Sequence, residues 1–146
     1  MSLDNLVGKS LERITVDAAM IGRLLSAARR NIADAHVTEI SNENQFDAAY
    51  KAIMQMANAA LQANGYRTLT STPGHHMTMI QSLSQTIGLD KPTIIALDAL
   101  RKQRNVADYS GDIIPPGLVE ECLAHAEALH NKVVQWIKNN KPELLE

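Results

Sequence analysis

Apolar residues recur along most of the chain at steps of three and four, the period of an α-helix that buries one face. Ala, Leu and Met are frequent at these positions, and β-branched residues seldom alternate with polar ones. The pattern predicts an all-α fold, a single-domain helical bundle of about five or six helices. We expect one domain over residues 1–146, with a core over about 15–138 and a loosely held tail over 139–146, because Pro142 interrupts the last helix.

Residues that start or stop helices place the predicted elements along the chain. Leu3 to Ile14 is predicted to be a short helix, weakened by Gly8. The next helix begins near Thr15 or Asp17, since either side chain can cap it, and extends to Ala35. The remaining helices are predicted from the polar residues 41–44 to Asn64-Gly65, over His75 to Ile87, from about Pro92 to Asp108, and from Pro115-Pro116 to Ile137, with a loop over Tyr66 to Gly74.

Composition and charge exclude several classes of protein. The 146 residues are 45% hydrophobic and 21% charged, as in a folded domain rather than a disordered or fibrous chain. A net charge of -2 excludes a strongly basic, histone-like mode of nucleic-acid binding and leaves room for a local basic patch. The single cysteine, the lack of a secretory leader pattern and the lack of a membrane-spanning apolar run predict a cytoplasmic protein with no membrane partner.

The densest group of polar residues lies at the end of the fifth predicted helix. Its members follow steps of three and four and are expected to form one ridge: Arg101, Arg104, Asn105 and Asp108. The two guanidinium groups suit phosphate oxygens or a base edge, and Tyr109 is available for stacking. The alternative is structural, with Arg101 or Arg104 paired to Asp98 or Asp108 inside the bundle.

The histidines and the cysteine give weaker signals. His75 and His76 open a helix and can cap it or face a ligand, but adjacent helical side chains point about 100° apart and make a poor metal site. Cys122 lies near His125 in a metal-like spacing, and it also borders the apolar stripe, which favours a small buried side chain. Glycine-rich phosphate loops and the common hydrolase motifs are absent from the sequence, and we predict neither a metal nor another cofactor.

The order of these features resembles the HEPN superfamily, small helical domains of toxin–antitoxin and defence systems, over about Leu24 to Ile137. Residues 44–53 and 60–66 are similar to the HEPN helix that carries an early Tyr or His and closes in an Ala-Leu and Gly pattern. The pair Gly74-His75 and the arginine-rich segment 101–109 follow in the family's order. The resemblance implies a helical homodimer.

In HEPN ribonucleases, an R-x4-6-H element places an arginine and a histidine in a cleft between two protomers. The histidine activates or orients the ribose 2′-hydroxyl during metal-independent cleavage. Arg104 matches the arginine, whereas Asp108, Tyr109 and Ser110 stand where the histidine would be. The resemblance therefore implies a retained binding groove without the usual acid–base residue.

Our leading hypothesis is a non-catalytic homodimer that binds RNA or another nucleic acid, or a nucleotide. The ligand-binding residues expected are Arg101, Arg104, Asn105, Asp108 and Tyr109, together with Tyr50 and His76. One alternative is an atypical ribonuclease toxin in which Arg104 acts with Tyr109 or His76 in place of the missing histidine. Another is a protein–protein interaction module, whose arginine ridge stabilises the dimer and whose partner is an antitoxin or another protein.

Overall fold

Helices make up most of the fold, as the apolar periodicity predicts. The structure is a computed structural model that describes residues 2–71 and 73–145. The α-helices described are α1 (Ala18–Ala35), α2 (Asn42–Ala63), α3 (His75–Gln81), α4 (Leu83–Thr86), α5 (Lys91–Ser110) and α6 (Pro116–Asn140). Among the described residues, no helix combines the length and apolar character needed to cross a membrane.

Three of the four long helices, α1, α2 and α5, begin where the sequence supplies a side-chain cap. Asp17 accepts a hydrogen bond from the backbone N–H of Ala19 at the start of α1, and Ser41 caps α2 in the same way. Asp90 caps α5 by accepting from the backbone N–H of Thr93 at 3.1 Å. These caps satisfy amides that have no partner within the first turn of a helix. The predicted starts of α1, α2 and α5 are confirmed within one or two residues.

Helix α2 is the centre of the hydrophobic core. Twelve of its 22 residues are buried, six of them alanines, and it packs against both α1 and α6. The small alanine side chains let these helices approach closely, while Ile53, Met56 and Leu61 fill the space between them. Helix α5 differs, since only Leu97 and Leu100 are buried among its 20 residues. It therefore lies at the edge of the bundle.

The prediction of a helix over Leu3 to Ile14 is wrong. Residues Leu3–Leu6 form a 3₁₀ turn, and Leu11–Arg13 form a short strand, β1. This strand pairs antiparallel with β2, Tyr66–Thr68, which occupies the start of the predicted loop. Gly8, at φ +85°, turns the chain between the two elements, and Leu11 is fully buried. The core therefore begins before residue 15, since the amino-terminal segment packs on it through Leu3 and Leu11.

The predicted helix from His75 to Ile87 is divided into α3 and α4 at Ser82. The Ser82 hydroxyl donates a 2.8 Å hydrogen bond to the carbonyl oxygen of Met79. A serine that bonds the preceding turn in this way offers the backbone an alternative to continued helix. Periodicity alone does not detect this break, because apolar side chains such as Met79, Ile80 and Leu83 lie on both sides of it.

The prediction of a loosely held tail is also wrong for residues 139–145. Helix α6 extends to Asn140, and a 3₁₀ turn over Pro142–Leu145 packs against α1 and α6. The Lys141 Nζ atom donates a 2.7 Å hydrogen bond to the carbonyl oxygen of Ala63, at the end of α2. Leu144 is buried. Pro142 ends the helix as predicted, but the chain beyond it is anchored to the core.

Candidate ligand-binding site

A cavity of about 360 Å³ opens between α2, α3 and α5, and we refer to it as the Arg104 cavity. This volume lies at the lower end of the range for small-molecule sites. Its walls combine charged, amide, aromatic and thioether side chains. They are Asp47, Tyr50, Lys51, Met54, Gln55 and Asn58 from α2, His76 and Met79 from α3, and Arg104 from α5.

The guanidinium of Arg104 lies over the ring of Tyr50. The Arg104 Cζ atom is 5.2 Å from the ring centroid, within the range of a cation–π contact. The ring of Phe46 is nearly parallel to that of Tyr50, at a centroid distance of 6.5 Å. Both aromatic rings are buried, so they form a fixed apolar platform beneath the guanidinium.

Arg104 is held by charge and not by hydrogen bonds from its Nε atom. That atom is 3.5 Å from Asp108 Oδ2 and 3.8 Å from Asp47 Oδ1. It is buried and makes no hydrogen bond within the described part of the chain, while one third of the side chain stays exposed. A guanidinium without a short, directional partner is free to reorient towards a better acceptor.

His76 and Tyr50 form a hydrogen bond at the inner wall of the cavity, with 3.1 Å between Tyr50 Oη and His76 Nδ1. Burial raises the pKa of Tyr50 to about 12, so the phenol keeps its proton at neutral pH. Burial also lowers the pKa of His76, and the neighbouring His75, Arg104 and Arg101 lower it further. A neutral imidazole that accepts from Tyr50 at Nδ1 carries its own proton on Nε2.

The charges around the cavity are nearly balanced. Arg104 and Lys51 are the cations, and Asp47 and Asp108 are the nearby carboxylates. Burial raises the pKa of Asp47, and Asp108 acts in the same direction, while Arg104 and Lys51 oppose the shift. A cavity without net positive charge binds an anion through the directional contacts of Arg104 rather than through its overall field, so it suits one or two phosphate charges at a time.

The structure separates the residues that the sequence grouped together. Tyr50, His76 and Arg104 meet in the cavity, and Asp108 contacts Arg104. Arg101 is not part of the lining, because its Nε atom bonds Asp98 Oδ1 at 2.8 Å and both side chains are largely buried. Asn105 and Tyr109 are exposed outside it, with Tyr109 95% exposed. Arg101 therefore has the purely structural role that was the alternative to ligand binding. The four residues predicted to form one ridge do not act together.

Most of the part of the site that α2 supplies was not predicted from the sequence. The lining residues that were not predicted as site residues are Asp47, Lys51, Met54, Gln55 and Asn58 from α2, and Met79 from α3. On α2 they are spaced by three or four residues, with Gln55 and Met54 adjacent, so they share one face of the helix. The sequence does show a polar stripe on α2 beside the buried stripe. A helix face that is simply exposed to solvent gives the same pattern, so the stripe does not by itself indicate a site.

Cys122 is not among the residues that line the Arg104 cavity. Cys122 is fully buried, as predicted, and burial raises its pKa to about 12, which keeps the thiol protonated. Across residues 2–71 and 73–145, no cluster of three or more His, Cys, Asp or Glu side chains is arranged to hold a metal ion.

Comparison with known proteins gives no relative from which a function can be transferred. The chain matches no family model, no curated protein and no solved structure. The geometry of the site and the resemblance of the motifs are therefore the basis for a functional proposal.

Proposed function

We propose that the chain is a HEPN-like homodimer that binds a nucleotide, free or within single-stranded RNA, without cleaving it. The observation that carries the proposal is the Arg104 guanidinium, stacked on Tyr50 at 5.2 Å and left without a hydrogen bond at Nε. Its carboxylate neighbours are too distant to compete well with a phosphate, which accepts charge-assisted hydrogen bonds. Lys51 provides a second cation in the same cavity.

Two amides in the cavity suit the edge of a base. Gln55 Oε1 accepts a hydrogen bond from Asn31 at 2.8 Å, and Asn58 Oδ1 accepts from Gln62 at 3.1 Å. These bonds orient both amides, and no hydrogen bond in the described part of the chain uses their NH₂ groups, which can donate to a ligand. Base-edge acceptors and phosphate oxygens are matching partners for these amides and the nearby cations.

The state of His76 favours binding over cleavage. When the Tyr50 hydroxyl donates to Nδ1, a neutral His76 carries its proton on Nε2 and has no free lone pair on the ring. A histidine in this state can donate a hydrogen bond but cannot take the proton from a ribose 2′-hydroxyl. In addition, Tyr109, the other candidate to replace the motif histidine, is exposed and does not line the cavity.

The outer face of α5 supports self-association. Among the described large apolar side chains, the four most exposed are Ile95, Val106, Tyr109 and Ile113, between 54% and 95% exposed. Ile95, the exposed Ala99, Val106 and Tyr109 share one face of α5, interrupted at Lys102, and Ile113 follows just beyond the helix. We call these five residues the α5 stripe.

Exposed apolar side chains grouped on one face mark interaction sites more often than isolated ones do. Two copies related by a two-fold axis would cover the same stripe on both chains. Because helix geometry places Arg104 on the opposite side of α5, each protomer would keep its own Arg104 cavity rather than share a cleft as in the HEPN ribonucleases.

Binding is tested by fluorescence anisotropy with a labelled single-stranded RNA decamer, with unlabelled AMP as competitor. We expect saturable binding that weakens as salt is raised, with the RNA recovered intact. Arg104→Ala should weaken binding tenfold or more. The affinity of Arg104→Lys should lie between those of the unaltered protein and Arg104→Ala, because lysine keeps the charge and loses the planar stack. Arg23→Ala is the matched control, since it removes an exposed arginine that does not line the cavity.

Two other outcomes would contradict the proposal. RNA cleavage that disappears in Arg104→Ala would identify a ribonuclease. No binding at any salt concentration, with loss of dimer or of folding stability in Arg104→Ala, would identify a protein–protein interaction module.

A further inference from the structure

A second cavity, of about 690 Å³, lies between residues 87–90 and the carboxy-terminal half of α6. It shares no lining residue with the Arg104 cavity. Three exposed amide side chains, Asn131, Gln135 and Asn139, lie along its α6 wall, and we call the cavity the amide groove. The function proposed above makes no use of it.

The spacing of the three amides matches an extended polypeptide. They are four residues apart on a helix, which places them about 6 Å apart along the axis. An extended chain repeats every two residues, or about 6.6 Å, and presents one backbone N–H and C=O pair to the same side in each repeat. Side-chain amides carry both a donor and an acceptor, as the peptide group does.

The hydrogen bond between two of the three amides leaves one donor and one acceptor available for a ligand. Gln135 Nε2 donates to Asn139 Oδ1 at 3.0 Å, which orients the two amides against each other. Within the described residues, no hydrogen bond uses Gln135 Oε1 or Asn139 Nδ2. One acceptor and one donor therefore remain on adjacent turns of α6.

The rest of the groove provides an apolar surface. Trp136 and Ile87, both half-buried, contribute to its walls, and Leu89 is buried beside them. Alternate side chains of an extended segment point to opposite sides, so every second side chain of a bound segment would face this surface. An aliphatic or aromatic side chain at those positions would cover the indole.

The charges of the groove favour a ligand without net charge. Lys132 Nζ is 3.7 Å from Asp90 Oδ1, so the two charged residues face each other. The hydroxyl and the backbone N–H of Thr93 bond the Asp90 carboxylate and hold its pKa below the usual value. A polyanion such as RNA would meet this carboxylate without an unpaired cation to balance it.

We propose that the amide groove binds an extended, uncharged peptide segment of a partner protein, about four residues long. The length follows from the 12 Å that eight helical residues span, since an extended chain rises about 3.3 Å per residue. The amides contact the backbone, and alternate apolar side chains contact Trp136.

The test uses the fluorescence of Trp136, the single tryptophan of the chain. The probes are four acetylated and amidated hexapeptides in which serine alternates with Leu, Ile, Val or Phe. Each has a counterpart with N-methyl groups on alternate peptide nitrogens, which removes backbone donors and keeps the side chains. Gln135→Ala removes the central amide, and Gln103→Ala removes an exposed amide on α5 as the control.

We expect at least one unmethylated peptide to change the emission of Trp136 saturably. N-methylation and Gln135→Ala should each weaken that binding at least fivefold, and Gln103→Ala should leave it unchanged. The proposal is overturned if none of the four peptides gives a saturable change up to millimolar concentration. Equal binding of the methylated peptides, or a response to the RNA decamer alone, would overturn it as well.

Discussion

Arg104 illustrates how a single residue can be positioned by weak contacts. Its guanidinium is stacked on Tyr50 and attracted by Asp47 and Asp108 at distances beyond a good hydrogen bond. By contrast, Arg101 forms a 2.8 Å bond with Asp98 in a largely buried position. The first arrangement leaves a cation available to a ligand, and the second stabilises the helix.

The titration of His76 reports directly on this environment. Because burial and the nearby cations disfavour the imidazolium, NMR titration of its Cε1–H resonance should give a midpoint below 6.5. Arg104→Ala removes one of the cations, so the midpoint should rise. A midpoint at or above 6.5 in the unaltered protein would contradict the cavity described here.

The lowered pKa of His76 also affects how the free energy of unfolding depends on pH. The unfolded chain binds a proton at His76 more readily than the folded chain does, so the free energy of unfolding should fall as pH is lowered from about 7 through 6.5. His130, whose pKa is also lowered by burial, acts in the same direction. Asp90 and Asp98, with lowered pKa values, should add to the loss only at more acidic pH, below about 4. Urea unfolding between pH 5 and 8 measures the slope.

Arg101 and Lys102 are expected to differ strongly in their contribution to stability. Arg101→Ala leaves the largely buried carboxylate of Asp98 without its short bond and should cost about 1–3 kcal/mol. Lys102→Ala removes an exposed partner at 3.5 Å and should cost less than about 1 kcal/mol. Equal costs in urea unfolding would show that the Arg101–Asp98 pair does not have the structural role assigned to it.

At the scale of elements, the docked carboxy-terminal turn gives a matched pair of variants. Leu144 is 8% exposed and Leu145 is 39% exposed, although they are adjacent. Leu144→Ala should cost about 2–3 kcal/mol, because it leaves a cavity against the core. Leu145→Ala should change the free energy of unfolding by about 0.5 kcal/mol or less. Similar small effects in both would indicate that the turn is not anchored in solution.

Helices were predictable from this sequence to the extent that local signals encode them. Asp17 and Asp90 identify the starts of α1 and α5, because a cap acts within one turn of its own residue. The β1–β2 pair depends on a contact between Leu11 and Thr68, far apart in sequence, and three-residue strands are too short for a period to appear. The docking of Leu144 was hidden for the same reason, since only the folded core provides its partner.

The candidate site was predictable only in part. Tyr50, His76 and Arg104 were identified by motif resemblance and residue type, and the structure brings them into one cavity. The contributions of Lys51 and Gln55 depend on which face of α2 remains uncovered after α1 and α6 pack against it. That information belongs to the tertiary arrangement and not to the local sequence.

At the scale of the whole molecule, the exposed α5 stripe predicts the oligomeric state. Sedimentation equilibrium should give twice the chain mass of 16.0 kDa. Val106→Asp places a charge in the stripe and should shift the protein to monomer, because a buried unpaired charge disfavours association. Val37→Asp, at another exposed apolar position, should leave the dimer intact. A monomeric unaltered protein at tens of micromolar would contradict this part of the account.

Ligand binding in the Arg104 cavity can be followed residue by residue in an NMR titration of the labelled protein with AMP. If AMP binds in the Arg104 cavity, the His76 imidazole resonance and the backbone amides of Lys51 and Gln55 should shift along one binding curve. The resonance of His36, an exposed residue paired with Glu127, should stay unchanged. Shifts confined to residues outside the Arg104 cavity, or no shift at millimolar AMP, would contradict the assignment of this cavity as the ligand-binding site.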